Sequence, residues 1–206
     1  MITTQPARYL LLILYVMLVC AALPASAQQE VFHLDPAASR VEFTLGDILH
    51  TVHGSFQLKR GTLRLDPAKG TASGELVVDA TSGDSGSKGR DRKMHRDILE
   101  SQKYPEITFV PQHIAGTLAP QGTSQITLQG LLTLHGQAHP MTITMPVQVQ
   151  GSSVSGEAKF IVPYVKWGLK NPSTWFLRVS DKVEITVHAV GELTKQAAAN
   201  STAASQ

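Results

Sequence analysis

From Gly136 to Gln150 the chain reads GQAHPMTITMPVQVQ, with Met141, Ile143, Met145, Val147 and Val149 apolar and Thr142, Thr144, Gln148 and Gln150 polar. A period of two gives a strand one greasy face and one wet face. The same rhythm runs through Val41, Phe43 and Leu45, through Ile126, Leu128, Leu132 and Leu134, and through Val183, Ile185, Val187 and Ala189. Strands are expected at Val31 to Leu34, Arg40 to Leu45, Thr51 to Lys59, Gly61 to Leu65, Ala72 to Asp79, Glu106 to Ile114, Gln125 to His135, Met141 to Gln150, Ser153 to Val162 and Lys182 to Glu192. Turn-forming residues, such as Asp66-Pro67-Ala68-Lys69-Gly70 and Gly151-Ser152-Ser153, separate most of them.

One segment breaks the rhythm. Gly89 to Ser101 (GRDRKMHRDILES) places Met94, Ile98 and Leu99 at helical spacing among charges and reads as a single amphipathic helix. Many short antiparallel strands with one helix predict an all-β barrel or sandwich. The barrel is favoured because closure removes edge strands, and an eight-stranded barrel has an interior just wide enough for one elongated ligand.

The chain begins differently. Shortly after Arg8 comes the apolar run Leu11 to Pro24, followed by Ala25-Ser26-Ala27, whose small residues fit a signal-peptidase site. Residues 1–27 are therefore expected to be a cleaved signal peptide rather than an anchor, since a bilayer span needs about 20 apolar residues. The mature barrel domain would cover 28–194, in the periplasm or secreted, with no stable membrane span. The small polar tail 195–206 is expected to be disordered. Cys20, the single cysteine, lies in the leader, so the mature chain has neither thiol nor disulfide. A chain of about 180 residues can bury a full core without one. Loss of Arg8 lowers the formal charge from +2 to +1, which gives nucleic acid no electrostatic claim.

Reactive chemistry is sparse. The chain has no Gly-x-Ser-x-Gly elbow, no His-Glu-x-x-His and no phosphate-cradling glycine loop. His50 and His53 stand three apart, and His135 and His139 four apart, spacings that bind zinc or copper on a helix. Both pairs lie in or beside strands and turns, and Pro140 biases His139 toward an extended conformation. A metal-dependent envelope enzyme built on these histidines is one alternative to a binding protein, and a packed structural or stress-response dimer is another.

Five segments occur in an order and spacing similar to the YceI-like proteins. They are HLDPAASRVEF from His33, VHGSF from Val52, KYPEITF from Lys103, GLLTLHG from Gly130 and Val179 to Ile185, and the likeness runs from about Val31 to Leu193. This resemblance implies an extended eight-stranded antiparallel, lipocalin-like barrel of an exported bacterial protein, often a homodimer. It also implies a long-chain isoprenoid or quinone-like amphiphile as ligand, no cofactor and no covalent chemistry. The chain departs from the family pattern at Ala38, where a histidine is common, and at Tyr164 to Leu169, and both departures bear on the ligand more than on the fold.

The residues themselves suggest where such a ligand would lie. Phe43, Phe56, Phe109, Ile126, Leu128, Leu132, Leu134, Ile143 and Met145, turned inward, would line an uncharged tunnel suited to hydrocarbon; a filled core is the competing expectation. A phosphate head group would need cations at the barrel mouth. The densest cluster is Lys88, Arg90, Arg92, Lys93 and Arg96, with Arg92 and Lys93 taken as head-group residues. Trp167 and Trp175, the two tryptophans, form a second candidate rim.

Overall fold

The computed structural model describes residues 28–46, 51–176 and 178–197. The expected signal peptide, His50 and the tail beyond Ala197 lie outside the described residues. The strands are β1 (Gln28–Leu34), β2 (Arg40–Gly46), β3 (Thr51–Asp66), β4 (Thr71–Asp84), β5 (Glu106–Ala115), β6 (Gly122–Leu134), β7 (Gln137–Gln150), β8 (Ser153–Val162) and β9 (Val183–Ala197). Between β4 and β5 lies α1 (Lys88–Lys93), continued by a π-helical turn over Met94–Ile98.

Strands β2 to β9 pair antiparallel with their neighbours in sequence, and β9 returns to β2, so the sheet closes into an eight-stranded barrel. The ninth strand adds no stave. β1 pairs with the far end of β3 (Glu30↔Leu65 to His33↔Thr62) and β2 with its near end (Val41↔Phe56 to Gly46↔Thr51), so the two form one interrupted stave. The interruption is a turn in which the Asp35 carboxylate accepts from the Ala37 and Ala38 amides. Buried Ser39 stitches it to β9: its hydroxyl donates to the Val190 carbonyl (3.1 Å) and accepts from the Val190 amide (2.9 Å), while the Asp35 amide donates to the same carbonyl.

Two expected strands, Thr51 to Lys59 and Gly61 to Leu65, are one strand with a bulge. Leu58 faces Val78 and Arg60 faces Val77, so β3 carries one extra residue there. The bulge switches the inward parity from even positions (Phe56, Leu58) to odd ones (Leu63, Leu65), and all four stay buried. A register shift between Pro111 and His113 does the same in β5, from Phe109 to Ile114. Bulges of this kind let long strands coil around a closed barrel. The β6–β7 connection is the two-residue turn His135-Gly136, with φ of 53° and 75°, the left-handed pair that a tight hairpin requires. β9 runs through Ala197, so Lys195 and Gln196 lie in the strand.

The helix expected over Gly89 to Ser101 is present as one short continuous segment, Lys88 to Ile98, whose six α-helical residues give way to a π turn in which the Leu99 amide bonds the Met94 carbonyl. The wider turn brings both Ile98 and Leu99 to the Met94 side, toward the barrel interior. The His95 ring anchors it, bonding the Gly83 carbonyl (2.9 Å) and the Ser101 hydroxyl (3.1 Å).

Outside the barrel, Glu106 on β5 receives a two-pronged contact from Arg60 (2.8 and 3.1 Å) and a third from Lys59 (3.0 Å), both on β3, so the charges bridge across β4. The Arg60 hydrogen bonds, then that of Lys59, pull its carboxyl from 4.5 down to about 2. A depressed value stabilises the fold above the unfolded carboxyl's pKa, and that contribution fades as pH falls from about 4.5 toward 2. In urea denaturation, Glu106→Gln should therefore fall short of wild type at pH 7, with a gap that narrows below about pH 4.5 and closes only near pH 2; an unchanged gap would show that the bridge does not titrate as described. Ser39→Ala removes both stitches to Val190 and should cost about 1–3 kcal/mol in the same assay, whereas a loss near zero would mean that the interrupted stave holds without them.

Candidate functional site

The barrel encloses a cavity of about 440 Å³, within the range of about 300–1,000 Å³ usual for small-molecule sites. Its wall is aliphatic and aromatic over most of its length. Phe43, Phe56, Phe109, Ile126, Leu128, Leu132, Leu134, Ile143 and Met145 all line it, which brings together every residue that the alternation turned inward. Register explains the grouping: Leu128 faces Ile143, Ile126 faces Met145, and Phe109 faces Leu132 across neighbouring staves. Gly54 opposite Phe43 leaves space for the aromatic ring, because a β-carbon there would collide with it.

Polarity is confined to one end. The connections β2–β3, β4–β5, β6–β7 and β8–β9 all emerge there, and two of them are long: 85–105, which carries α1, and 163–182. The opposite end has tight or short turns, and Leu118 from one of them caps the cavity. Ser85, Arg90, Lys93 and Thr174 are the lining residues with charged or hydroxylic side chains other than Tyr164, and all five belong to the two long connections. Arg90 lies against Ser85, its Nη2 donating to the backbone oxygen (2.8 Å) and its Nε to the hydroxyl (3.2 Å). Asp91 accepts from the Ser85 amide (2.9 Å) and hydroxyl (2.6 Å), and the hydroxyl bond is the main cause holding its carboxyl below the usual range. Lys93 Nζ donates to the Pro172 carbonyl (3.1 Å), spanning the mouth from one connection to the other.

Tyr164 closes the second connection on itself. Its hydroxyl donates to the Ser180 carbonyl (2.6 Å), and the Ser180 amide donates in turn to Gly46 at the end of β2. Burial first, and Asp181 second, push the phenol up to about 12, so it remains a donor at neutral pH.

Three expected site residues lie elsewhere. Arg92, two positions from Arg90 on α1, points away from the lining face. Trp167 stacks on His139, with centroids 4.1 Å apart and planes 1° from parallel, and packs against the core without reaching the cavity. Trp175 is 90% exposed. Conversely, Arg90 reaches the mouth although the sequence singled out its neighbours; only the helix phase, fixed by the anchoring of Met94 and His95, distinguishes them. Phe160 and Ala158 also line the wall, and the alternation of β8 carried that signal.

The described histidines do not converge on one another. His53 meets the Thr44 hydroxyl through Nδ1 (3.2 Å), and His135 sits in its turn against the Tyr104 ring with Glu100 3.5 Å from Nε2. Among the described residues no group of three or more His, Cys, Asp or Glu gathers where it could hold a metal ion. No helix among them is long and apolar enough to cross a membrane.

The YceI-like domain model matches residues 32–191, all but the outer ends of β1 and β9. The chain belongs to that family. A UPF0312 protein of Vibrio cholerae is 26% identical over 171 residues, covering 81% of this chain and 88% of that protein. A UPF0312 protein of Pseudomonas putida is 32% identical over 108 residues, 51% of this chain and 54% of that one. Among solved structures, Burkholderia cenocepacia BcnA superposes with a TM-score of 0.62 at 23% identity, covering 76% of this chain and 98% of that one. A polyisoprenoid-binding domain from Saccharophagus degradans gives 0.61 at 17%, covering 79% and 98%. At these identities the superpositions establish the shared barrel.

If the cavity is a binding volume, filling it should abolish uptake without unfolding the barrel. Ala158→Phe places a ring into the lumen from β8. It should lower affinity for a long-chain fluorescent probe about tenfold or more, at a stability cost of about 1–3 kcal/mol or less; undiminished uptake would place the site elsewhere.

Proposed function

We propose that this protein is an exported, non-catalytic binder of a long apolar chain of the polyisoprenoid class, held in the barrel with its head group at the mouth. The observation that carries the reading is the distribution of polarity: an uncharged lumen along the staves, with Arg90 and Lys93 at one end only. Such a site suits an amphiphile rather than a wholly apolar or wholly polar ligand. Hydrocarbon burial supplies about 0.8 kcal/mol per methylene, so a few isoprene units offset association costs of about 4–15 kcal/mol without any directed contact along the tail. Met145 and Met94 soften the wall and let it follow kinks in the chain.

The structural likeness to a domain described as polyisoprenoid-binding supports the ligand class. Export to the periplasm or beyond is supported by the apolar leader and Ala25-Ser26-Ala27. Inside the barrel, the lining offers no arrangement of nucleophile, base and oxyanion donors, which favours binding over catalysis.

The test is native mass spectrometry of the protein purified from its host without detergent, followed by organic extraction. A mass excess that disappears on extraction, with a polyprenyl or quinone-like species in the extract, is expected. An apoprotein mass and an extract free of amphiphile would contradict the reading.

A further inference from the structure

The connection 163–182 carries two side chains that the lumen does not use. Trp175 and Phe176 are 90% and 85% exposed, with ring centroids 4.9 Å apart. The other large hydrophobics exposed among the described residues, Ile161 and Val110, reach only 49% and 37%. Two adjacent aromatics left in water mark an interaction site rather than a packing remnant. The base of their projection is pinned: the Val179 amide donates to the Ser173 hydroxyl (2.8 Å), and Asn171 Nδ2 donates to the Val179 carbonyl (3.2 Å). The projection also borders the mouth, since Pro172, Thr174 and Val179 line the cavity.

Charge singles out the same end. Among the described residues, the connections there, 85–105, 135–136 and 163–182, carry ten lysines and arginines against four acidic residues; the other described residues carry seven against eleven. A nearly neutral chain is thus polarised, and the aromatic pair belongs to a connection at its positive end.

From the exposed pair, the pinned base and the positive mouth, we infer that this end of the barrel docks on a bilayer surface containing anionic phospholipid, with Trp175 and Phe176 entering the interface. Aromatic side chains favour the headgroup region, and lysines and arginines around them are attracted to an anionic surface. The inference rests on the lipid-binding reading for its purpose, because a mouth held against the bilayer lets an apolar chain pass between membrane and lumen without crossing water. The contacts themselves do not require an occupied cavity.

The test uses the protein as its host processes it, with vesicles of phosphatidylethanolamine and phosphatidylglycerol against vesicles of phosphatidylcholine. The protein should sediment with the anionic vesicles and be released in about 1 M salt, where charge attraction is screened within about 3 Å. In a Trp167→Phe background, the emission of Trp175 should shift to the blue on binding. Trp175→Ser with Phe176→Ser should weaken vesicle binding about tenfold or more, while uptake of a dansylated farnesol from solution is unchanged. Failure of the wild type to sediment, or equal sedimentation of the double variant, overturns the proposal. Self-association that the double variant abolishes, in a protein that ignores vesicles, also overturns it and assigns the pair to a second copy. A protein that carries extractable lipid yet ignores vesicles keeps the cavity reading and loses this one; a protein that binds vesicles but takes up no farnesol does the reverse.

Discussion

Closing an antiparallel sheet on itself leaves the inward side chains with one another and whatever they enclose, because no second layer comes to cover them. In this barrel that constraint falls on apolar residues from every stave. Strands β3 and β5 also bend as the ring closes, and a strict two-residue alternation would carry their apolar set out of the interior at the bend. The bulges near Arg60 and Gln112 reset the parity, so that Phe56 and Leu65, or Phe109 and Ile114, face the same side despite opposite numbering. Large side chains on all the walls, over a circumference of eight staves, still leave about 440 Å³ unfilled. The hollow follows from the closure.

A hollow barrel has two ends, and this chain treats them differently. One end is shut by short turns, while the other receives the long connections that bring α1, the π turn and residues 163–182 over the opening. Lys93 spans these covers through the Pro172 carbonyl, and Tyr164 ties the second of them back to Ser180 and, through it, to Gly46. The same covers are also held by the Trp167–His139 stack, by buried Leu169 and by the bonds of His95 to Gly83 and Ser101. All the charged and hydroxyl-bearing side chains that line the cavity lie at this covered end.

Much of this was legible in the alternation. Leu128, Ile143 and their neighbours sit where a period of two placed them, because β6 and β7 pair without interruption from Gly122↔Val149 to Leu134↔Gln137. The reading failed where local geometry overrides period. Gly61 to Leu65 looked like a separate strand because a bulge reverses parity in mid-strand, and the helix read at Gly89 to Ser101 is present but gave no sign of its π turn, which carries the same apolar residues as an α-helix. Trp167 and Trp175 looked equivalent by residue type, yet a histidine on β7 stacks with one and nothing in the barrel covers the other. Arg90 and Arg92 differ only by helix phase, which depends on the tertiary anchors Gly83 and Ser101.

The central claim is that the lumen is an apolar volume that selects a ligand by how much hydrocarbon it can enclose. Calorimetric titration with a series of prenyl alcohols of increasing length tests it most directly. Affinity should climb with each added unit, by up to about 0.8 kcal/mol per buried methylene, with a negative heat-capacity change, and then level off once the cavity is full. Affinity independent of chain length would contradict the account.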